Sequence, residues 1–285
     1  MQLNELQQIY RGAQRKAEIK RWTSVPVDDH LAKRARREQL TPLIPCIDAS
    51  IDDNVTHYDQ RAWQRVIAFY AEVDRRKERC GDATLATETE DGFRSVTSSP
   101  IRDLATVMLR FRKFFSSDSE SEGAQTPQRA HAHALLDMGS NDGRVVVLAH
   151  LLGYRAQGIE IDDHAYRESL DFIKMLDREA VPGLARAVFI ANGDYTSSQG
   201  LKSLMTRVAH VSVFFNYDDT NVDKVAEVIM RRGRVGARLL LHSYSERMDQ
   251  IPLTLTHMVM TDGRQRGSST DPRLYPCFDV FRRDR

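Results

Sequence analysis

The chain has 285 residues, 41% of them hydrophobic and 28% charged, with a formal net charge of +1. That length holds one α/β domain of ordinary size plus a smaller appendage, and the near-zero charge excludes a uniformly basic nucleic-acid binder. No apolar run approaches the roughly 18 residues of a transmembrane helix, and Met1-Gln2-Leu3-Asn4-Glu5 lacks the apolar core of a secretory signal.

Residues 1–94 read as a basic, mainly helical N-terminal domain. Arg11, Arg15, Lys16, Lys20, Arg21, Lys33, Arg34, Arg36 and Arg37 face only Glu18, Asp28 and Asp29 over the same stretch. Lys33-Arg34-Ala35-Arg36-Arg37 resembles a nuclear import signal, so a nuclear location is expected; a plain solvated helical face accounts for each of these charges equally well. Cys46, Cys80 and Cys277 show neither C-x-x-C nor zinc spacing and read as reduced thiols in an intracellular protein. The best helix here is about 59–79, where Trp63, Val66, Ile67, Tyr70 and Val73 recur on one face.

Residues 91–100 form a polar loop. A helix follows from about Ile101 to Phe115, with Leu104, Val107, Met108 and Phe111 on one side. Residues 116–130, acidic and serine-rich at their start, read as a mobile loop. From Ala134 strands and helices alternate: strands near 134–138, 156–160, 187–190, 211–215, 237–241, 255–260 and 277–282, and helices near 143–152, 163–179, 198–207 and 221–232. Five βα units and two closely spaced last strands predict an α/β fold with a mainly parallel, Rossmann-like seven-strand sheet and an antiparallel final strand. The domain would span 95–285.

The stretch Leu135-Leu136-Asp137-Met138-Gly139-Ser140-Asn141-Asp142-Gly143-Arg144 is an apolar strand running into a glycine turn. Gly158-Ile159-Glu160 then ends a second strand in an acid roughly 20 residues on, the layout of a nucleotide-binding βαβ unit. A dinucleotide fingerprint would need glycine where Asn141 and Arg144 stand, and Asp137 would repel a pyrophosphate. A carboxylate there suits a cationic ligand without phosphate. S-adenosylmethionine (SAM) is such a ligand, with its ribose diol on Glu160. After the third strand, Asp194 would accept from the adenine amine and Tyr195 would lie against the base. Each residue alone has a bland reading as tight turn, strand end or helix cap; together they favour SAM. After the fourth strand, Asn216-Tyr217 stands where adenine and glutamine N-methyltransferases carry prolines. An Asn with an aromatic can instead shape a narrow channel for an alkyl amine, with Asn216 orienting the methionine end of SAM.

From about Ser95 onward the chain resembles the non-SET histone H3 lysine methyltransferases named for disruption of telomeric silencing. The family's D-L-G-S-G-x-G-[QN] turn matches Asp137 through Arg144, its G-I-E matches Gly158-Ile159-Glu160, and its G-D-F matches Gly193-Asp194-Tyr195. Its V-x-x-x-N-N-F matches Val211 through Tyr217. The chain differs in having Asn141 for a glycine and Arg144 for an amide, and it lacks the E-x-Y-G signature before Ser99. The resemblance implies SAM as methyl donor, held by Asp137, Gly139, Ser140, Asn141, Gly143, Arg144, Glu160, Asp194, Tyr195 and Asn216, with Thr97, Ser98 and Ser99 in a covering loop. It also implies a lysine channel of Asn216, Tyr217 and Tyr275. The substrate would be a lysine in the globular core of histone H3 within nucleosomes, engaged partly through the basic N-terminus on DNA phosphate or a histone acidic patch. A neutral lysine amine would displace the sulfonium methyl in line, in an apolar channel that disfavours its charge. No metal and no membrane partner are expected. A non-histone protein lysine, a small metabolite, or SAM binding without catalysis stand as alternatives.

Overall fold

The computed structural model describes residues 46–47, 59–80, 101–120, 133–217, 221–242, 251–260 and 277–284. Contacts divide the chain into two compact units, Met1–Pro45 and Cys46–Arg285, and every described residue belongs to the second. The basic run from Arg11 to Arg37, the loop residues Thr97, Ser98 and Ser99, and Tyr275 lie outside the described residues.

The strands are β1 (Cys46–Ile47), β2 (Ala134–Met138), β3 (Arg155–Glu160), β4 (Phe189–Asn192), β5 (Val211–Asn216), β6 (Arg238–His242), β7 (Thr254–Met260) and β8 (Cys277–Arg282). They form one sheet in the order β1-β7-β8-β6-β5-β2-β3-β4. Strands β2 to β6 pair in parallel, and β8 runs antiparallel to both of its neighbours, β6 and β7. The expected sheet is therefore present, with the two-residue β1 added in parallel beside β7. Helices α1 (Gln60–Cys80), α2 (Ile101–Glu120), α3 (Arg144–Leu151), α4 (Asp163–Glu179), α5 (Leu184–Ala187), α6 (Ser198–Lys202) and α7 (Val222–Arg232), with a short 3-10 helix at Val208–His210, complete the described elements.

Every residue of β2 and β5 is buried, as helices on both sheet faces require. Alternation along the strands divides the core in two. Leu135, Val213, Phe215 and Leu240 meet α1, α2 and α3 through Trp63, Val66, Tyr70, Leu104, Met108, Phe111 and Val147. Leu136, Phe214, Leu239 and Leu241 meet α6 and α7 through Leu201, Val222, Val225 and Ile229.

The helix expected over 59–79 is present as α1, in the unit Cys46–Arg285 together with the sheet. Its buried face of Trp63, Val66 and Tyr70 packs into the first core. Three element boundaries differ from those expected. Helix α2 continues to Glu120, five residues into the segment read as loop, because a formed helix extends at the cost of one residue per hydrogen bond even where apolar periodicity has stopped. The third parallel strand begins at Phe189, since Leu184–Ala187 makes a helical turn after Gly183. The helix read over 198–207 stops at Lys202. The Gln157 side-chain amide takes both the N–H and the C=O of Thr206, at 2.9 Å each, and holds that stretch to β3.

Candidate active site

The chain leaves β2 toward β3 and β4 on one side, and returns to β5 and β6 on the other. This reversal opens a crevice at the carboxyl ends of the central parallel strands, where such sheets bind ligands. Asp137, Glu160 and Asn216 all stand at that edge.

Between β2 and α3 the backbone enters the left-handed region three times in five residues, at Gly139 (φ 87), Asn141 (φ 43) and Gly143 (φ 79). The N–H groups of Gly139 and Ser140 donate to the Ile159 carbonyl at 2.9 and 3.1 Å, tying the turn to β3. Asn141 donates its N–H to Glu160 Oε2 at 2.7 Å. Glycine is required at 143: besides the positive φ, a Cβ there would lie 2.9 Å from Ile190 Cδ1. Ser140 is buried, and its hydroxyl makes no hydrogen bond among the described residues.

Asp137 is 2% exposed, yet no cation sits beside it among the described residues. Burial pushes its carboxyl well above the ordinary carboxylate range, and the charges of Glu160 and Asp142 push the same way. Glu160, 7% exposed, is also raised by burial, against the lowering effect of the Asp162 and Asn141 N–H groups. Its Oε1 accepts from the Asp162 N–H at 2.9 Å. Each oxygen of Glu160 thus holds one backbone donor and keeps lone-pair capacity for another. Next to it Ile161 is 63% exposed, an apolar side chain left in solvent at the mouth of the crevice.

After β4, the Asp194 carboxylate accepts from the Thr196 N–H and hydroxyl, both at 2.7 Å. It therefore closes a local turn, the bland reading, while staying half-exposed on the same edge. Tyr195 packs half-buried against the second core. Asn216, 1% exposed, donates Nδ2–H to the Met138 carbonyl at 2.6 Å, which locks the end of β5 to the end of β2. Tyr217 leaves the strand half-buried against the first core.

Arg144 opens α3 directly after the turn. Its side chain is 2% exposed and turned into the interior, where Asp142 and Asp74 take the guanidinium at 2.6 and 2.7 Å. The charge stays fixed: burial lowers the guanidinium pKa, but Asp142 foremost and Asp74 after it more than reverse that. Three residues of the region were not read from the sequence: Ile161, Asp142 and Asp74. An apolar residue straight after a strand-end acid was the available signal for Ile161. Asp74 carries none, being far away in sequence.

The sheet order, with β8 set antiparallel between β6 and β7, and the acids at the carboxyl edge define the Rossmann-like fold of the seven-strand methyltransferases. No family model matches the chain, and no curated protein matches its sequence. Among solved structures the chain is similar to an RNA methyltransferase from Salinibacter ruber in complex with S-adenosyl-L-homocysteine, at 20% identity over 56% of this chain and 92% of that one, TM-score 0.37. A putative O-methyltransferase from Klebsiella pneumoniae shares 16% identity over 87% of this chain and 96% of its own, TM-score 0.44. The N-methyltransferase NodS from Bradyrhizobium japonicum shares 15% over 66% and 99%, TM-score 0.41. At these values nothing of their substrates is carried to this chain.

Proposed function

We propose that the protein is a SAM-dependent methyltransferase. The observation that carries this reading is Asp137, buried with Glu160 at the reversal point of the sheet without a neutralising cation among the described residues. A phosphate-bearing nucleotide would add negative charge to that edge; a sulfonium ligand with an amine supplies the missing positive charge. When bound, SAM supplies an electrophilic methyl group on sulfur. Asp137 would face the cationic part of the ligand, and Glu160 would accept from the ribose diol. Ile161 and Tyr195 would flank the adenine, with Asp194 toward its amine. Asn216, held by Met138, would orient the acceptor, and the chain's main contribution to rate would be alignment.

The finer reading is a protein lysine, and within that the globular core of histone H3 in nucleosomes. It is supported by the match of Asn216-Tyr217 and by the basic residues between Arg11 and Arg37. A nuclear location follows from the same reading.

Calorimetry tests the cofactor. The protein should bind SAM, and Glu160→Ala should weaken binding at least about tenfold, since charge-assisted hydrogen bonds contribute roughly 1.5–3 kcal/mol. No binding by the wild-type protein rejects the proposal. Labelled SAM offered with nucleosomes, free histones, small metabolites and cell extract then identifies the acceptor. Label on a nucleosomal lysine, lost in Asn216→Ala with SAM binding retained, supports the finer reading; label on a metabolite alone rejects it.

A further inference from the structure

Behind the glycine turn lies a buried charge cluster that ties it to the first two helices. Arg144 Nε donates to Asp142 Oδ1 at 2.9 Å, and Nη2 donates to Asp142 Oδ2 at 2.6 Å and to Asp74 Oδ1 at 2.7 Å. The guanidinium carbon lies 5.2 Å from the centroid of the Tyr70 ring. The Tyr70 hydroxyl in turn donates to the main-chain carbonyl of Asp142 at 3.3 Å. Asp74 Oδ2 accepts from the N–H of Ile101, the first residue of α2, at 3.3 Å. One guanidinium thereby joins α1, the start of α2 and the turn.

We infer that Arg144, with Asp74, Asp142 and Tyr70, is a positioning residue that holds the turn of residues 139–143 in its cofactor-binding shape from α1, without touching the ligand. The inference deepens the cofactor reading and rests on it for its ligand arm. Two consecutive residues are pinned from opposite sides: Asn141 by Glu160 at the crevice, and Asp142 by Arg144 and Tyr70 from behind. The pinning has a purpose because Asn141 holds a positive φ that costs a non-glycine residue energy and relaxes once released. Stability alone does not account for the cluster. Removing an arginine and two carboxylates from water offsets most of their attraction, and apolar side chains of like volume serve a core as well. What the charged cluster adds is direction, since the planar guanidinium fixes both carboxylates in one plane.

The test is Asp74→Asn, milder than any change at Arg144 because the Asp74 side chain is 27% exposed and the Arg144–Asp142 pair is left in place. Amide hydrogen exchange on the ligand-free protein is read at Asn141 and Gly143, with Leu136 and Phe214 in the central strands as internal controls. Exchange at the turn should rise about tenfold while the strand interiors keep their protection, and the SAM dissociation constant should rise by a similar factor. Tyr70→Phe, which removes only the hydroxyl's bond to Asp142, should produce the same local change in smaller degree, and it decides the matter should Asp74→Asn not fold. Arg144→Lys should restore part of what Arg144→Gln loses. Unchanged exchange at the turn, or a rise shared equally by the strands, overturns the inference. A turn that loosens in a protein whose wild type binds no SAM supports the positioning role and rejects the cofactor reading, so the two fail separately.

Discussion

A carboxylate buried beside another carboxylate is a cost the folded protein bears until something positive arrives. Asp137 and Glu160 are both raised by burial; the charge of Glu160 raises Asp137 further, and that of Asp162 raises Glu160. For a group whose folded pKa lies above its unfolded value, the folded state binds the proton more tightly. The stability it contributes is full below the ordinary carboxylate range and is lost as pH rises through the raised value. The ligand-free protein should therefore lose stability from this pair as pH rises above the ordinary carboxylate range, and SAM should tighten over the same rise because its cation favours the ionised acids. Asp137→Asn removes the penalty. Its melting temperature should exceed that of the wild type by a margin that widens as pH is raised above the ordinary carboxylate range, while SAM affinity falls. Thermal melts at several pH values, paired with calorimetry, check this; an Asn variant that melts earlier at every pH removes Asp137 as a strained acid. More stable yet less able to bind is the expected signature of a residue kept for its ligand.

Strand β3 shows the same economy at the level of an element. A Cβ on Gly158 would meet Ser140 Cβ at 2.7 Å and Val146 Cγ2 at 2.9 Å, so the turn and the first turn of α3 rest directly on the strand backbone. Gly158→Ala should push them away, costing about 1–3 kcal/mol and weakening SAM binding more than Ala substitution at the exposed Arg155 on the same strand. Denaturant melts and calorimetry on both variants provide the comparison. This unit was also the most legible part of the chain. The apolar run Leu135-Leu136, the glycines and Glu160 are all local signals, each constrained by backbone geometry at its own position. Strand β4 was misplaced by two residues because the apolar Val188 and Phe189 look alike in sequence, and only the helical turn Leu184–Ala187 separates them. The clamp on the turn was not legible at all. Arg144 reads as a polar residue at a helix start, and its partners Asp74 and Tyr70 reach it only once α1 has packed on the first core. Long-range side-chain pairing leaves no trace in periodicity. Asn216 is an intermediate case: its place at the end of β5 was read from the strand, whereas its bond to Met138 depends on β5 lying beside β2.

At the scale of the molecule, the placing of α1 decides where the chain can be cut. A protein of residues 46–285 should fold and bind SAM with wild-type affinity, whereas one starting at residue 95 loses Trp63, Val66, Tyr70 and Val73 from the core together with Asp74. Truncating even one such large side chain costs roughly 3–5 kcal/mol, so the shorter protein should lack a cooperative melt; a normal melt from it would return the boundary to residue 94. The basic run is tested on the full chain. Neutralising Lys33, Arg34, Arg36 and Arg37 together should leave SAM affinity intact, raise the apparent KM on nucleosomes and flatten its salt dependence, while an unaltered salt slope makes the run a solvated face. The short strand β1 has its own consequence. Cys46 pairs with Met258, so the first strand of the unit joins a partner made roughly two hundred residues later, and pairing across such a separation is slow to form. On the ribosome the β2-to-β6 portion can assemble as it emerges, but the β1 edge must wait for β7, and the outer side of β6 for β8. Until β8 has paired, the outer side of β6 is an open template for pairing with the wrong chain, and the β1 edge closes only once β7 is in place.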